Sequence, residues 1–76
     1  MSFEPIEVEC YSGARADERP RRLNIRGRLM VVARVLSESI EEDAESKQRG
    51  RRYRVITTEG HTLDLLRDHD DRWYLL

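Results

Sequence analysis

Residues 21–36 have the sequence RRLNIRGRLMVVARVL, which carries a clear pattern of strand and turn residues. Apolar and polar side chains alternate before Arg26-Gly27, as they do in a β-strand with one buried face. After the glycine both faces are fairly apolar, which is typical of a central strand covered on two sides. Glycine supplies the positive φ of a tight two-residue turn. The stretch therefore predicts a β-hairpin, and its glycine and β-branched valines argue against a helix.

The same alternation continues on either side of this hairpin. Further strands are predicted at residues 5–11, 50–58, 61–67 and 73–76. Ser12-Gly13 and Glu59-Gly60 are turn sequences, residues 14–20 are a predicted loop, and residues 68–71 are a polar turn. Short strands joined by tight turns at regular spacing indicate a small barrel or sandwich.

Residues 37–49 have a different pattern. Ser39 and Glu42 have the spacing of a capping box at a helix start. Only Ile40 and Ala44 could face a core, and two such anchors do not hold a helix of this length. We therefore expect a polar loop here, with at most one or two helical turns.

These elements predict a single all-β domain over residues 1–76. The expected architecture is an antiparallel, partly open SH3-like barrel of five or six strands, because closure removes most unpaired strand edges. The predicted core residues are Ile6, Val8, Leu29, Val31, Val35, Val55, Ile56, Leu63, Leu65, Trp73 and Leu75. A core of this size leaves the domain only marginally stable, so a homodimer is one hypothesis for how it buries more surface.

The composition excludes several classes of protein. At 76 residues the chain has room for one domain. It contains no apolar segment of about 18 residues that could cross a membrane, and its acidic start is not that of a secretory signal. Its single cysteine excludes an intramolecular disulfide and a four-cysteine zinc site. We therefore expect a cytoplasmic domain that does not bind membranes.

The charges are arranged in blocks although the net charge is only −1. Residues 15–37 and 47–58 are strongly basic, whereas residues 38–46 contain five acids and no base. Opposed patches of this kind orient a protein partner or a second copy of the chain. The blocks therefore favour a protein-interaction module, with homodimerisation as one form of it.

The arginines suggest an alternative, because guanidinium groups suit phosphate contacts. The candidate anion-binding or nucleic-acid-binding residues are Arg19, Arg21, Arg22, Arg51, Arg52 and Arg54. Together with Tyr11 and Tyr53 they would form a groove for a single strand. The isoelectric point near 6.1 and the acidic block argue against this alternative, since nucleic-acid-binding domains are usually basic.

Enzymatic chemistry has little support in the sequence. Cys10 would need His61 or His69 as a base, but it shares a face with apolar residues, where a thiol is inert. Residues 68–71, Asp-His-Asp-Asp, lack the spacing of a calcium loop and are better explained as a turn capped by aspartate. The sequence has no phosphate-binding glycine loop and no serine nucleophile motif. We expect no catalytic residues, no metal site and no cofactor.

Several segments carry a resemblance to a known family. They are EPIEVECYSG at 4–13, Glu18-Arg19-Pro20, Gly27 in its hairpin, YRVIT at 53–57 before Glu59-Gly60, and RWYL at 72–75. Together they resemble a family of small bacterial domains of unknown function, similar to the tail modules of some proteins akin to Y-family DNA polymerases. Residues 23–25 depart from that pattern, which has an aromatic residue and a tryptophan before the turn. The resemblance implies a DNA-repair-like setting for the nucleic-acid alternative and no established activity. The leading prediction is thus a non-enzymatic interaction or accessory module.

Overall fold

The computed structural model describes residues 3–10, 19–42 and 49–76, and these residues form a closed antiparallel barrel. The strands are β1 (Glu4–Cys10), β2 (Pro20–Ile25), β3 (Arg28–Glu42), β4 (Arg49–Thr57), β5 (Thr62–Arg67) and β6 (Trp73–Leu75). Each strand pairs with the next one, and β6 pairs with β1. The predicted all-β antiparallel barrel is confirmed, with six strands and with a closed rather than a partly open sheet. The described residues contain no helix that could cross a membrane.

The hairpin predicted at residues 21–36 forms as its sequence indicates. Arg26 and Gly27 connect β2 to β3 with φ angles of 53° and 80°. Positive φ at both positions matches the twist of the flanking strands, which explains the tight connection. The second predicted hairpin also forms, with Gly60 at a φ of 92° between β4 and β5.

The prediction of a polar loop or short helix at residues 37–49 is wrong for 37–42 and for 49. β3 continues to Glu42 and pairs with β4 in unbroken register from Ser37 opposite Arg54 to Glu42 opposite Arg49. Pairing of an acidic strand with a basic one outweighs the weak local helix signal. Residues 43–48 lie outside the described residues, as do Tyr11, the Ser12-Gly13 turn and most of the loop predicted after it.

The barrel encloses a small core. Its buried members are Leu23, Tyr53, Val55, Leu65 and Trp73, against which Ile6, Val8, Val35, Leu63 and Leu75 pack. The predicted burial of Leu29 and Val31 is wrong, because both are exposed. Leu23 lies opposite Met30, so the row of Met30 faces inward and Leu29 and Val31 face solvent. Ile56 is only half-buried because it lies between two buried residues, on the outward row of β4.

Two irregularities in β3 set the shape of the barrel. The register with β4 shifts between Val32 and Arg34 and again between Val35 and Ser37. Bulges of this kind bend a strand and increase its twist. β3 pairs with β2 only from Arg28 to Val31, whereas its pairing with β4 runs from Val32 to Glu42. The second half of β3 therefore extends past β2.

Candidate interaction surface

Two of the predicted anion-binding arginines, Arg52 and Arg54, lie on the outward row of β4, where Arg54 is directly opposite Asp64 and Arg52 is diagonal to it. The Arg54 Nε donates a hydrogen bond of 2.9 Å to Asp64 Oδ1, and the Arg52 Nη2 lies 3.7 Å from Asp64 Oδ2. The hydrogen bond from Arg54 lowers the pKa of Asp64 below its ordinary value, outweighing partial burial, and the charge of Arg52 adds to this. Asp64 therefore compensates charge on both guanidinium groups.

Arg51 belongs to the opposite face of the same strand. It shares the inward row with Tyr53, and its Nη1 donates a hydrogen bond of 2.9 Å to Glu38 on β3. The Tyr53 side chain, followed by the Glu38 carboxylate, holds the pKa of Arg51 above its ordinary value. Arg51 is therefore directed away from Arg52 and Arg54.

The remaining three predicted arginines lie near the start of β2. Arg22 is on the outward row, with its Nη1 3.9 Å from Glu9 Oε2. Arg21 is exposed at a register shift between β1 and β2, and Arg19 is exposed just before β2. Arg22 lies opposite Val31 on β3, whereas Arg54 lies opposite Ser37. The six arginines are thus spread over separate places on the barrel and are not brought together into one groove.

Carboxylates also pair with arginines that were not singled out in the sequence. Arg26 binds Glu4 at 2.6 Å, Arg28 binds Glu59 at 2.7 Å and Arg67 binds Asp71 at 2.6 Å. Of these three pairs, only Arg67–Asp71 could be predicted from local sequence, through its i,i+4 spacing. The other two join residues that are distant in sequence and come together through strand pairing. Exposed pairs of this kind contribute little to stability, but each reduces the cationic charge presented to a ligand.

The acidic and basic blocks of the sequence meet within the chain. Residues 37–42 of β3 pair directly with residues 49–54 of β4. The attraction that could have joined two copies of the chain is therefore partly satisfied within one copy.

The apolar surface lies mainly on β3. Of the six large apolar residues that are exposed in the described part of the chain, four lie in this strand. Leu29 and Val31 are 61% and 41% exposed on the outward row, and we call this pair the β3 patch. Leu36 is the extra residue at the second bulge, and Ile40 lies near the end of the strand. Sequence alternation alone missed this surface because both faces of β3 are apolar.

The groups weighed for catalysis or metal binding are dispersed or already engaged. Cys10 is half-buried against the core, and the antiparallel topology puts it at the opposite end of the barrel from the turn with His61. The other candidate base, His69, lies in the β5–β6 turn at the same end as Cys10, with its Nε2 3.3 Å from the Asp70 carboxylate. Asp68 accepts backbone hydrogen bonds of 2.9 Å from Asp70 and Arg72, as expected for a capped turn. Within the described ranges, no three His, Cys, Asp or Glu side chains are grouped to hold a metal ion.

One depression of about 360 Å³ lies between β1 and the β5–β6 turn, beside Trp73. It is wide and open to solvent, and its lining includes Glu7, Asp71 and Arg72. Small-molecule sites are usually enclosed and mostly apolar, so this depression has little of their character.

No protein-family profile matches the sequence, and no curated protein or solved structure is detectably similar to it. The resemblance to the small bacterial family stays a prediction from the segments that carry it.

Proposed function

We propose that this chain is a small non-enzymatic module that binds another protein through the outward face of β3. The observation that carries the proposal is the β3 patch, Leu29 and Val31, exposed side by side along one row of a paired strand. Large apolar side chains grouped on a rigid sheet are typical of a surface that becomes covered by a partner. Arg22 and Asn24 on β2 lie opposite the patch and supply a polar border.

The alternative of a nucleic-acid-binding accessory domain has less support. Arg22, Arg51, Arg52 and Arg54 each lie beside a carboxylate of the described residues. The six candidate arginines are also distributed over separate parts of the barrel. Binding along a phosphate backbone needs cationic groups that follow one path and are available to the phosphates. An interaction module has no such requirement.

The proposed setting is the bacterial cytoplasm. The support for this setting comes from the sequence, namely the family resemblance and the single cysteine. Half-buried thiols that form no disulfide are usual in reducing compartments.

The experiment that tests the proposal is site-specific photo-crosslinking in cells that make the protein naturally. A benzophenone amino acid replaces Leu29, and a matched control carries it at Thr62, an exposed position on β5. We expect a discrete crosslinked protein from position 29 and none from position 62. A label at Arg22, which lies opposite Val31, should capture the same protein as the label at position 29. With this label at Arg22, the double variant Leu29→Ser, Val31→Ser should lose the product. Equal labelling from both positions, or a product that survives the double variant, would overturn the proposal.

A further inference from the structure

The second half of β3 has a strand edge with no partner among the described residues. β2 covers this edge only as far as Val31, and the opposite edge of β3 is paired with β4 as far as Glu42. From Ser37 to Glu42 the pairing with β4 is regular, so this segment is an extended strand without a bulge. A regular edge of this kind offers backbone N–H and C=O groups to an added strand.

The side chains along this edge determine which kind of peptide strand could pair with it. The inward row of β3, beyond the end of the core, carries Glu38, Ile40 and Glu42 in that order. Ile40 is 64% exposed, so a large apolar side chain lies between two carboxylates. The sequence from 37 to 42 contains three glutamates and no basic residue. An added strand would place its alternate side chains directly opposite this row.

We infer that this edge of β3 binds an extended peptide segment with the alternating pattern basic–any–aliphatic–any–basic. The aliphatic residue would cover Ile40, and the two basic residues would lie opposite Glu38 and Glu42. The Glu38 carboxylate already accepts a hydrogen bond of 2.9 Å from Arg51, so it would be shared between Arg51 and the added basic residue. Opposite charges facing each other across a strand pair are favourable, and the backbone ladder supplies the rest of the affinity. The inference goes beyond the proposed function, because it assigns a second binding site to β3, separate from the β3 patch, and names the chemistry of its ligand.

A second copy of the chain does not meet this requirement. An antiparallel pair of copies centred on Ile40 would set Glu38 of each copy against Glu42 of the other. Like charges directly opposite are destabilising. A basic heterologous segment is therefore favoured over self-association at this edge.

The test uses two synthetic probes and the intact chain. The first probe is the peptide Thr-Lys-Thr-Val-Thr-Lys-Thr, and the matched control is Thr-Glu-Thr-Val-Thr-Glu-Thr. Each is titrated into the isotopically labelled protein at low salt while amide NMR shifts are followed. We expect the lysine probe to shift amides of residues 37–42, and the glutamate probe to bind at least about fivefold more weakly. Raising the sodium chloride concentration from about 20 mM to about 500 mM should weaken binding of the lysine probe.

Three variants and one exchange measurement sharpen the result. Ile40→Thr and Glu42→Lys should each weaken binding of the lysine probe. The double variant Leu29→Ser, Val31→Ser should leave this binding unchanged. Because Ile40 and Glu42 are exposed, the fold of these variants should persist, and near-ultraviolet circular dichroism checks this. Some amides between 37 and 42 should exchange rapidly with solvent in the free chain.

Lack of binding, shifts outside this segment, uniformly slow exchange here or dimerisation through this edge would each overturn the inference. The crosslinking result at Leu29 would be unaffected by any of these outcomes, so the two proposals fail separately.

Discussion

Asp68 holds the turn between β5 and β6 with one carboxylate oxygen. Its Oδ1 accepts hydrogen bonds from the backbone N–H groups of Asp70 and Arg72. Burial acts to raise the pKa of Asp68, but the bonds from Arg72 and Asp70, aided by His69 and Tyr74, outweigh it, so this pKa lies below its ordinary value. The ionised carboxylate is therefore the form that the folded state prefers.

Replacing Asp68 should reveal this preference as a pH-dependent loss of stability. Above the ordinary aspartate pKa of about 3.9, Asp68→Ala should lower the free energy of unfolding by about 1–2 kcal/mol, since two hydrogen bonds are lost. A group with a lowered folded pKa gives its full contribution above the unfolded pKa and loses it as the pH falls through the folded pKa. The difference between wild type and variant should therefore shrink in acid, as urea unfolding across pH would show. Asp68→Asn, which keeps an acceptor oxygen, should cost less; a pH-independent difference for Asp68→Ala would contradict this account.

Two substitutions in the Arg26-Gly27 turn should have opposite effects on stability. Arg26 has a positive φ of 53°, a conformation that asparagine tolerates better than arginine, and Gly27 has a φ of 80°. Arg26→Asn should raise the free energy of unfolding by about 0.5 kcal/mol, even though the exposed ion pair with Glu4 is lost. Gly27→Ala should lower it by about 1 kcal/mol, although a methyl group there meets no atom within 4 Å. Thermal unfolding measures both, and a neutral Gly27→Ala would show that the turn relaxes to another conformation.

In β3, sequence alternation predicts the wrong inward face for the first half of the strand. Leu29, Val31 and Val35 form one alternating set, whereas Met30 and Val32 form the other. The cross-strand pair of Leu23 and Met30 selects the second set for the core, and a bulge then brings Val35 to the same side. Nothing within β3 itself distinguishes the two sets, because the choice depends on its neighbours.

Two leucines on neighbouring strands test this assignment directly. Leu23 is fully buried, whereas Leu29 is 61% exposed. Leu23→Ala should lower the free energy of unfolding by about 3 kcal/mol, because it leaves a cavity in a small core. Leu29→Ala, the matched change, should alter it by less than about 0.5 kcal/mol. Urea unfolding of both variants makes the comparison, and similar losses would mean that β3 faces the other way.

The hairpins were predictable because their signals are local. Arg26-Gly27 and Glu59-Gly60 each carry turn chemistry within a few residues, and both turns form. Residues 37–42 were not predictable in this way, because their strand exists through pairing with residues 49–54 across a connection. The arginine positions follow the same rule. Strand alternation alone puts Arg51 and Arg52 on opposite faces. Which carboxylates they meet depends on the register of β4 with β3 and β5.

In the whole molecule, the alternating charge blocks are partly paired with each other among the described residues. The net charge of −1 arises from nearly equal numbers of acids and bases, and the barrel brings many of them into cross-strand pairs. Such pairs are screened by salt and contribute modestly to stability. Their larger consequence concerns binding, because a compensated guanidinium group is less available to a phosphate.

This consequence gives a prediction about single-stranded nucleic acid. A groove using all six candidate arginines would give a slope of about −4 in a plot of log affinity against log salt for a single strand. We expect weak binding of a labelled oligothymidine of about 20 nucleotides, with a slope no steeper than about −1.5 by fluorescence anisotropy. Asp64→Asn removes the carboxylate shared by Arg52 and Arg54, so this variant should bind the oligonucleotide more tightly than wild type, whereas Thr62→Asn on the same strand should not. Tight, steeply salt-dependent binding by the wild type, lost in Arg52→Gln and Arg54→Gln, would instead favour the nucleic-acid function, because it would show that Asp64 does not withhold these side chains from phosphate.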